Sequence, residues 1–177
     1  MTSQPLVLND IGCVADRVLF LDINRVLTSN AFVQFEWMMR EINKSAYRAL
    51  DPLAIDLLND LEQLSRTQIV LYGSLLQHQM SDAVQYLSHS INCMSNLGFK
   101  HSRAIVGFIP CNHELLCAAK IDQYLQEHTD IKHYCILGDG TDVFRKQKAH
   151  FVNVSNKTGL ARSDILECLN IFNRDIK

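Results

Sequence analysis

The sequence predicts a three-layer α/β domain built on a mainly parallel sheet, and three observations carry that expectation. Short apolar runs of strand length alternate along the chain with longer stretches whose apolar residues recur at helical spacing. The runs are apolar nearly throughout, as expected of strands buried on both faces. At 177 residues the chain fits one domain over residues 1–177, long enough to bury roughly two-thirds of its unfolded surface.

Residues 1–17, with Pro5, Asn9-Asp10 and Gly12, read as an irregular lead-in. Val18-Leu19-Phe20-Leu21-Asp22-Ile23 is the first strand, an apolar run that discharges into Asp22, Asn24 and Arg25. Residues 24–49 carry Phe32, Phe35, Trp37, Met38, Met39 and Tyr47, and read as a loop and short helix over the strand end, a candidate small cap or lid. The Trp37-Met38-Met39 cluster is expected to pack on the core rather than to line that lid. Asp51 and Pro52 open a helix as N-cap and first-turn proline, with Leu53, Ile55, Leu57, Leu58, Leu61 and Leu64 as its stripe and its stop near Arg66.

Gln68 to Ser74 is the second strand, ending in Gly73-Ser74. Residues 77–91 read as a helix with Met80, Ala83, Val84, Leu87 and Ile91 on one side, and 92–103 as a polar connection. Ala104 to Ile109 is the third strand, followed by a helix over 113–127 that contains Lys120. Tyr134 to Asp142 is a fourth strand ending in acid and glycine, His150 to Val154 a fifth, and 162–172 a closing helix capped by Ser163.

Net charge is −2, and no Lys/Arg block stands out, so there is no strong signal for nucleic acid or an anionic membrane. The six cysteines lack CxxC spacing and the seven histidines lack HxH or HxxxH pairing, which argues for reduced thiols and against zinc. No signal-peptide pattern and no apolar run of membrane-spanning length appears, so a soluble, cytoplasmic protein is expected.

In an open α/β sheet, side chains leaving the carboxyl ends of different strands converge on one crevice. Asp22, Ser74, Asp139 and Asp142 lie at such ends, and Lys120 can reach them from a helix. Carboxylates brought together repel unless a cation sits among them, and hard oxygen ligands suit Mg²⁺. Acid, hydroxyl, lysine and Mg²⁺ make a phosphate-handling site in outline. Taken singly, each residue also fits a bland role as a cap, a turn or a solvated cation.

Order and spacing say more. VLFLDINRVLTS resembles the first motif of the haloacid dehalogenase (HAD) superfamily, hhhhDxDGVLxS in its phosphatase branch. IVLYGS resembles the second motif, Lys120 stands where the third motif's basic residue is expected, and YCILGDGTD resembles the acidic fourth. The similarity runs from about residue 18 to 172 and suits small members without a large cap. It implies a Rossmann-like sheet of five strands in the order 5-4-1-2-3, with helices on both faces. It also implies Asp22 as nucleophile, Ser74 (or, after a one-residue slip, Gly73) as phosphate holder, and Lys120 (or Lys100) as the stabilising base. Asp22, the Asn24 backbone carbonyl, Asp139 and Asp142 would be the metal-binding set for Mg²⁺.

Two departures matter. Asn24 stands where these phosphatases carry the Asp that protonates the leaving group, and a carboxamide cannot exchange that proton. Losing a general acid/base costs about 10²- to 10⁴-fold in rate. Arg25 stands where Gly normally lets the chain turn near the phosphate; it either clamps an anionic substrate or fills the pocket. The first functional reading is therefore a slow, Mg²⁺-dependent hydrolase acting on a phosphorylated small molecule, nucleotide or nucleic-acid end, with His78 or a substrate group as substitute acid. A degenerate binding or regulatory protein, or a HAD branch with non-phosphatase chemistry, are the alternatives.

Overall fold

The first apolar run, β2 (Arg17–Asp22), lies inside the sheet, with β3 (Gln68–Gly73) parallel on one side and β5 (His133–Gly138) parallel on the other. Beyond β3 lies β4 (Ile105–Pro110), and beyond β5 the short β6 (Phe151–Asn153), both again parallel to their neighbours. In this computed structural model residues 6–7, 16–43, 50–73, 82–111, 117–140 and 146–174 are described. In chain order the parallel strands fall in the expected arrangement, 5-4-1-2-3. To them the structure adds β1 (Leu6–Val7), antiparallel to β4, from a segment that reads as irregular in the sequence. Two residues are too few to show a period.

Apolar side chains leave the sheet on both faces. Leu19, Leu21, Ile69, Leu71 and Phe108 meet α3 (Pro52–Ser65), α4 (Ala83–Asn96) and α6 (Arg162–Arg174) on one face. Val18, Phe20, Val70, Tyr72, Ile109 and Ile136 meet Ile121 and Tyr124 of α5 (Cys117–Glu127) on the other. Phe20 is wholly buried and stands edge-on to the Tyr124 ring, with centroids 5.7 Å apart. Burying one such side chain is worth about 1.5–3 kcal/mol. The continuous apolar pattern of the strands is therefore a consequence of having two cores rather than one. No disulfide joins the five cysteines among the described residues, and no helix there is long and apolar enough to cross a membrane.

Local chemistry sets the helix ends. Asp51 Oδ1 accepts from the Leu53 amide at 2.9 Å, Pro52 begins α3, and Arg66 ends it in the left-handed conformation at φ 51°. Several expectations need correction. Of the α3 stripe, Ile55, Leu58 and Leu61 are buried, but Leu53 and Leu64 are exposed, because the contact face is narrower than the apolar one. α4 begins at Ala83, where Asp82 Oδ1 caps the Val84 amide at 2.8 Å, residues 77–81 of the expected helix lying outside the described residues, and it continues to Asn96 because Met94 extends the buried stripe of Leu87 and Ser90. The polar connection predicted from 92 is thus partly helix. In α6 the cap is not Ser163: Asp164 Oδ2 reaches back to the Ala161 amide at 2.9 Å.

Residues 24–49 hold more helix than predicted, with α1 (Ile23–Val26) and α2 (Asn30–Asn43) in place of a loop and one short helix. Trp37 and Met38 of α2 are exposed at 57% and 54%, as is the neighbouring Phe35 at 51%, so the expectation that they pack on the core is wrong for these two, while the Met39 side chain lies outside the described residues. Asp51→Ala should lower stability by about 1 kcal/mol through loss of the cap. The check is a fall in the urea midpoint with unchanged slope.

Candidate active site

Asp22 is the last residue of β2 and is only half-buried, directly after four buried apolar residues. It pairs in register with Tyr72 at the end of β3. On the other side Leu21 pairs with Leu137, so one step further Asp22 stands beside Gly138. Tyr72, Asp22 and Gly138 thus form a row across three strand ends. The phenol crosses the row: a Cβ on Gly138 would lie 2.2 Å from Tyr72 Oη and 3.7 Å from Asp22 Cβ. Glycine is required there by close approach, not by backbone angle.

Tyr72 is 7% exposed, and its hydroxyl donates a long hydrogen bond, 3.5 Å, to the Leu137 carbonyl. Burial pushes the phenol pKa well above its ordinary value, and the Asp22 carboxylate adds to the shift, followed by Cys117, Cys111 and Asp139. The group therefore stays protonated, a neutral donor beside two acids.

Asp139 follows Gly138 and points into the protein, its side chain 5% exposed. A carboxylate so enclosed needs charge compensation. Arg25 supplies it: Nη1 donates to both carboxylate oxygens, at 3.1 and 3.0 Å. The single turn of α1 makes this contact possible. Ile23 and Val26 are buried at 3% and 0%, which pins the turn and leaves Arg25 with its side chain 34% exposed at the sheet edge.

Lys120 of α5 reaches the same edge of the sheet two strands from Asp22, where Nζ donates to the carbonyl of Pro110. Pro110 ends β4 and pairs with Gly73, which ends β3 with φ 149°, a backbone angle that favours glycine. The Gly73 carbonyl accepts from the Cys111 amide at 2.7 Å. Lys100 lies on the connection into the opposite, amino end of β4, its amide bonded to Asn59 Oδ1 at 2.9 Å. Asn24 is placed by its backbone within α1. Ser74, Asp142 and His78 lie outside the described residues.

Asp22 and Asp139 stand at neighbouring strand ends with the backbone of Asn24 close behind. One or two carboxylates completed by water and substrate oxygens are the usual setting for Mg²⁺, so this donor set fits that ion. Among the described residues no group of three His, Cys, Asp or Glu side chains forms a denser site.

Two features escape sequence reasoning. Arg25 and Asp139 are 114 residues apart, and Tyr72 reads as one more apolar strand residue. The only signal was a glycine in the strand-end Gly138-Asp139-Gly140, which turn chemistry explained equally well.

Gly138→Ala should cost about 1–3 kcal/mol through overpacking. In a Tyr72→Phe background the cost should largely vanish, because the nearest remaining ring atom, Cζ, lies 3.5 Å from the added methyl. A double-mutant cycle by urea denaturation measures that coupling. The pH dependence has a definite sign as well. The folded protein holds the Tyr72 proton above the ordinary value of 10.0, so this stabilisation is complete below that pH and is lost as pH rises toward the folded value. Tyr72→Phe should flatten part of the alkaline fall in stability, read from urea midpoints at successive pH values.

The family described as "HAD domain in Swiss Army Knife RNA repair proteins" matches residues 18–165. No curated protein and no solved structure matches the chain.

Proposed function

The chain belongs to the family of HAD domains in Swiss Army Knife RNA repair proteins, a HAD-fold hydrolase type, and from that premise we propose a Mg²⁺-dependent phosphate-ester hydrolase. Its substrate on this reading is a phosphorylated nucleotide or nucleic-acid end. The observation that carries the proposal is the pair of acids at neighbouring strand ends, Asp22 and Asp139, with Arg25 on Asp139. Lys120 at the same edge of the sheet adds a second cation.

Asp22 attacks phosphorus, forming an aspartyl phosphate as the bond to the leaving oxygen breaks. Water then cleaves the acyl phosphate and restores the carboxylate. Asp22, Asp139 and the Asn24 carbonyl would hold Mg²⁺, with Asp142 as a further acid. The ion, when bound, supplies neutralisation of the phosphoryl charge. Lys120 and Arg25 add positive charge, and Ser74 or the Gly73 backbone holds a phosphate oxygen. α2, which follows α1 directly, serves as the small cap segment.

The leaving oxygen needs a proton that the Asn24 carboxamide cannot give. Turnover is accordingly slow, unless water, His78 or a substrate group substitutes. The same residue, together with the ion pair that already occupies Asp139, favours one second reading: a module that binds a phosphorylated end without turning it over.

Two substrates test the choice, p-nitrophenyl phosphate and a phosphorylated oligoribonucleotide, each assayed with Mg²⁺. The hydrolase reading expects measurable wild-type turnover that Asp22→Asn abolishes, and a gain of about 10²-fold or more in Asn24→Asp. A silent wild type beside an active Asn24→Asp variant selects the binding module instead.

A further inference from the structure

We propose that Arg25 is a tethered counter-cation that competes with a divalent ion for Asp139, and that an anionic phosphoryl ligand releases it, so that anion and metal bind the site cooperatively. The inference rests on the metal-site reading above and concerns what this chain's own residues do to it.

The contact is end-on. One nitrogen, Nη1, lies 3.1 and 3.0 Å from the two oxygens of Asp139, so it stands in front of the carboxylate where a metal ion would stand. A guanidinium and a divalent ion cannot share that position, because two cations within a few ångströms repel strongly in a half-buried setting. The partners also differ in freedom. Asp139 is held at 5% exposure directly after β5, whereas the Arg25 side chain is 34% exposed and hangs from a turn anchored by Ile23 and Val26. The backbone of Arg25 is fixed by the buried residues on either side of it while its side chain reaches solvent, so uncovering Asp139 takes a side-chain rotation and no refolding of the turn.

A phosphoryl group bound at Asp22, at the neighbouring strand end, offers the guanidinium a better partner. Planar paired N–H donors match phosphate oxygens more closely than a single nitrogen matches a carboxylate. Once Arg25 turns to the phosphoryl oxygens, Asp139 is exposed to the ion. By linkage, whatever factor the anion adds to metal affinity the metal adds to anion affinity.

Mg²⁺ titration of the full chain by calorimetry, with and without inorganic phosphate, tests this on binding alone. Without phosphate, Arg25→Gln should bind Mg²⁺ at least about tenfold more tightly than wild type, within the range usual for coupled sites. Phosphate should tighten Mg²⁺ binding in wild type, and much less in the variant. Equal Mg²⁺ affinity in the two proteins without phosphate overturns the competition while leaving the metal site standing. Absence of Mg²⁺ binding in both proteins, with or without phosphate, removes the metal-site reading and this inference with it. Should circular dichroism show Arg25→Gln unfolded, wild type alone decides: Mg²⁺ affinity indifferent to phosphate overturns the proposal.

Discussion

The parallel register that aligns the ends of β3, β2 and β5 governs everything at this edge of the sheet. Leu21 opposite Leu71 and Leu137 sets Asp22 level with Tyr72 and Gly138. A slip of one residue in β2 would send its alternating side chains to the opposite faces. Phe20 would leave the α5 side, where it meets Tyr124, and Asp22 would face Ile23's present neighbours in the larger core. Packing of both cores therefore fixes the position of an acid that makes no contribution to either.

The same register explains why the edge can hold opposed charges without collapse. Asp139 is enclosed because β5 carries it inward, and the chain meets the cost with a cation from the turn that directly follows β2. A glycine at position 25, as in the superfamily motif, would leave that acid to solvent and ions. Here the charge that neutralises Asp139 is covalently part of the chain.

The parts of this arrangement that were legible in the sequence are those with a local physical cause. Five strands announce themselves because a strand buried on both faces must be apolar at successive positions, as Leu19, Phe20 and Leu21 are. The start and stop of α3 follow from Asp51, Pro52 and the turn at Arg66. Asp22, Lys120 and Asp139 stand out by motif order. What stayed hidden depends on contacts that no short window contains. The phenol of Tyr72 filling the place of a Gly138 methyl needs three strands in register, and the Arg25–Asp139 pair closes across most of the chain. Helical spacing also overstates burial. Leu53, Leu64 and Trp37 look like core in the sequence, yet each lies on the solvent side of its helix.

The exposure of α2 has an optical consequence. The chain has one tryptophan, Trp37, and it stands 57% exposed on that helix, outside both cores. An indole this exposed in the native state changes its surroundings less on unfolding than a buried one would, and it lies open to whatever settles on α2. In this protein intrinsic tryptophan fluorescence is a reporter of α2, while the tyrosines Tyr72, Tyr86 and Tyr124, each buried, carry the signal of the sheet and its cores.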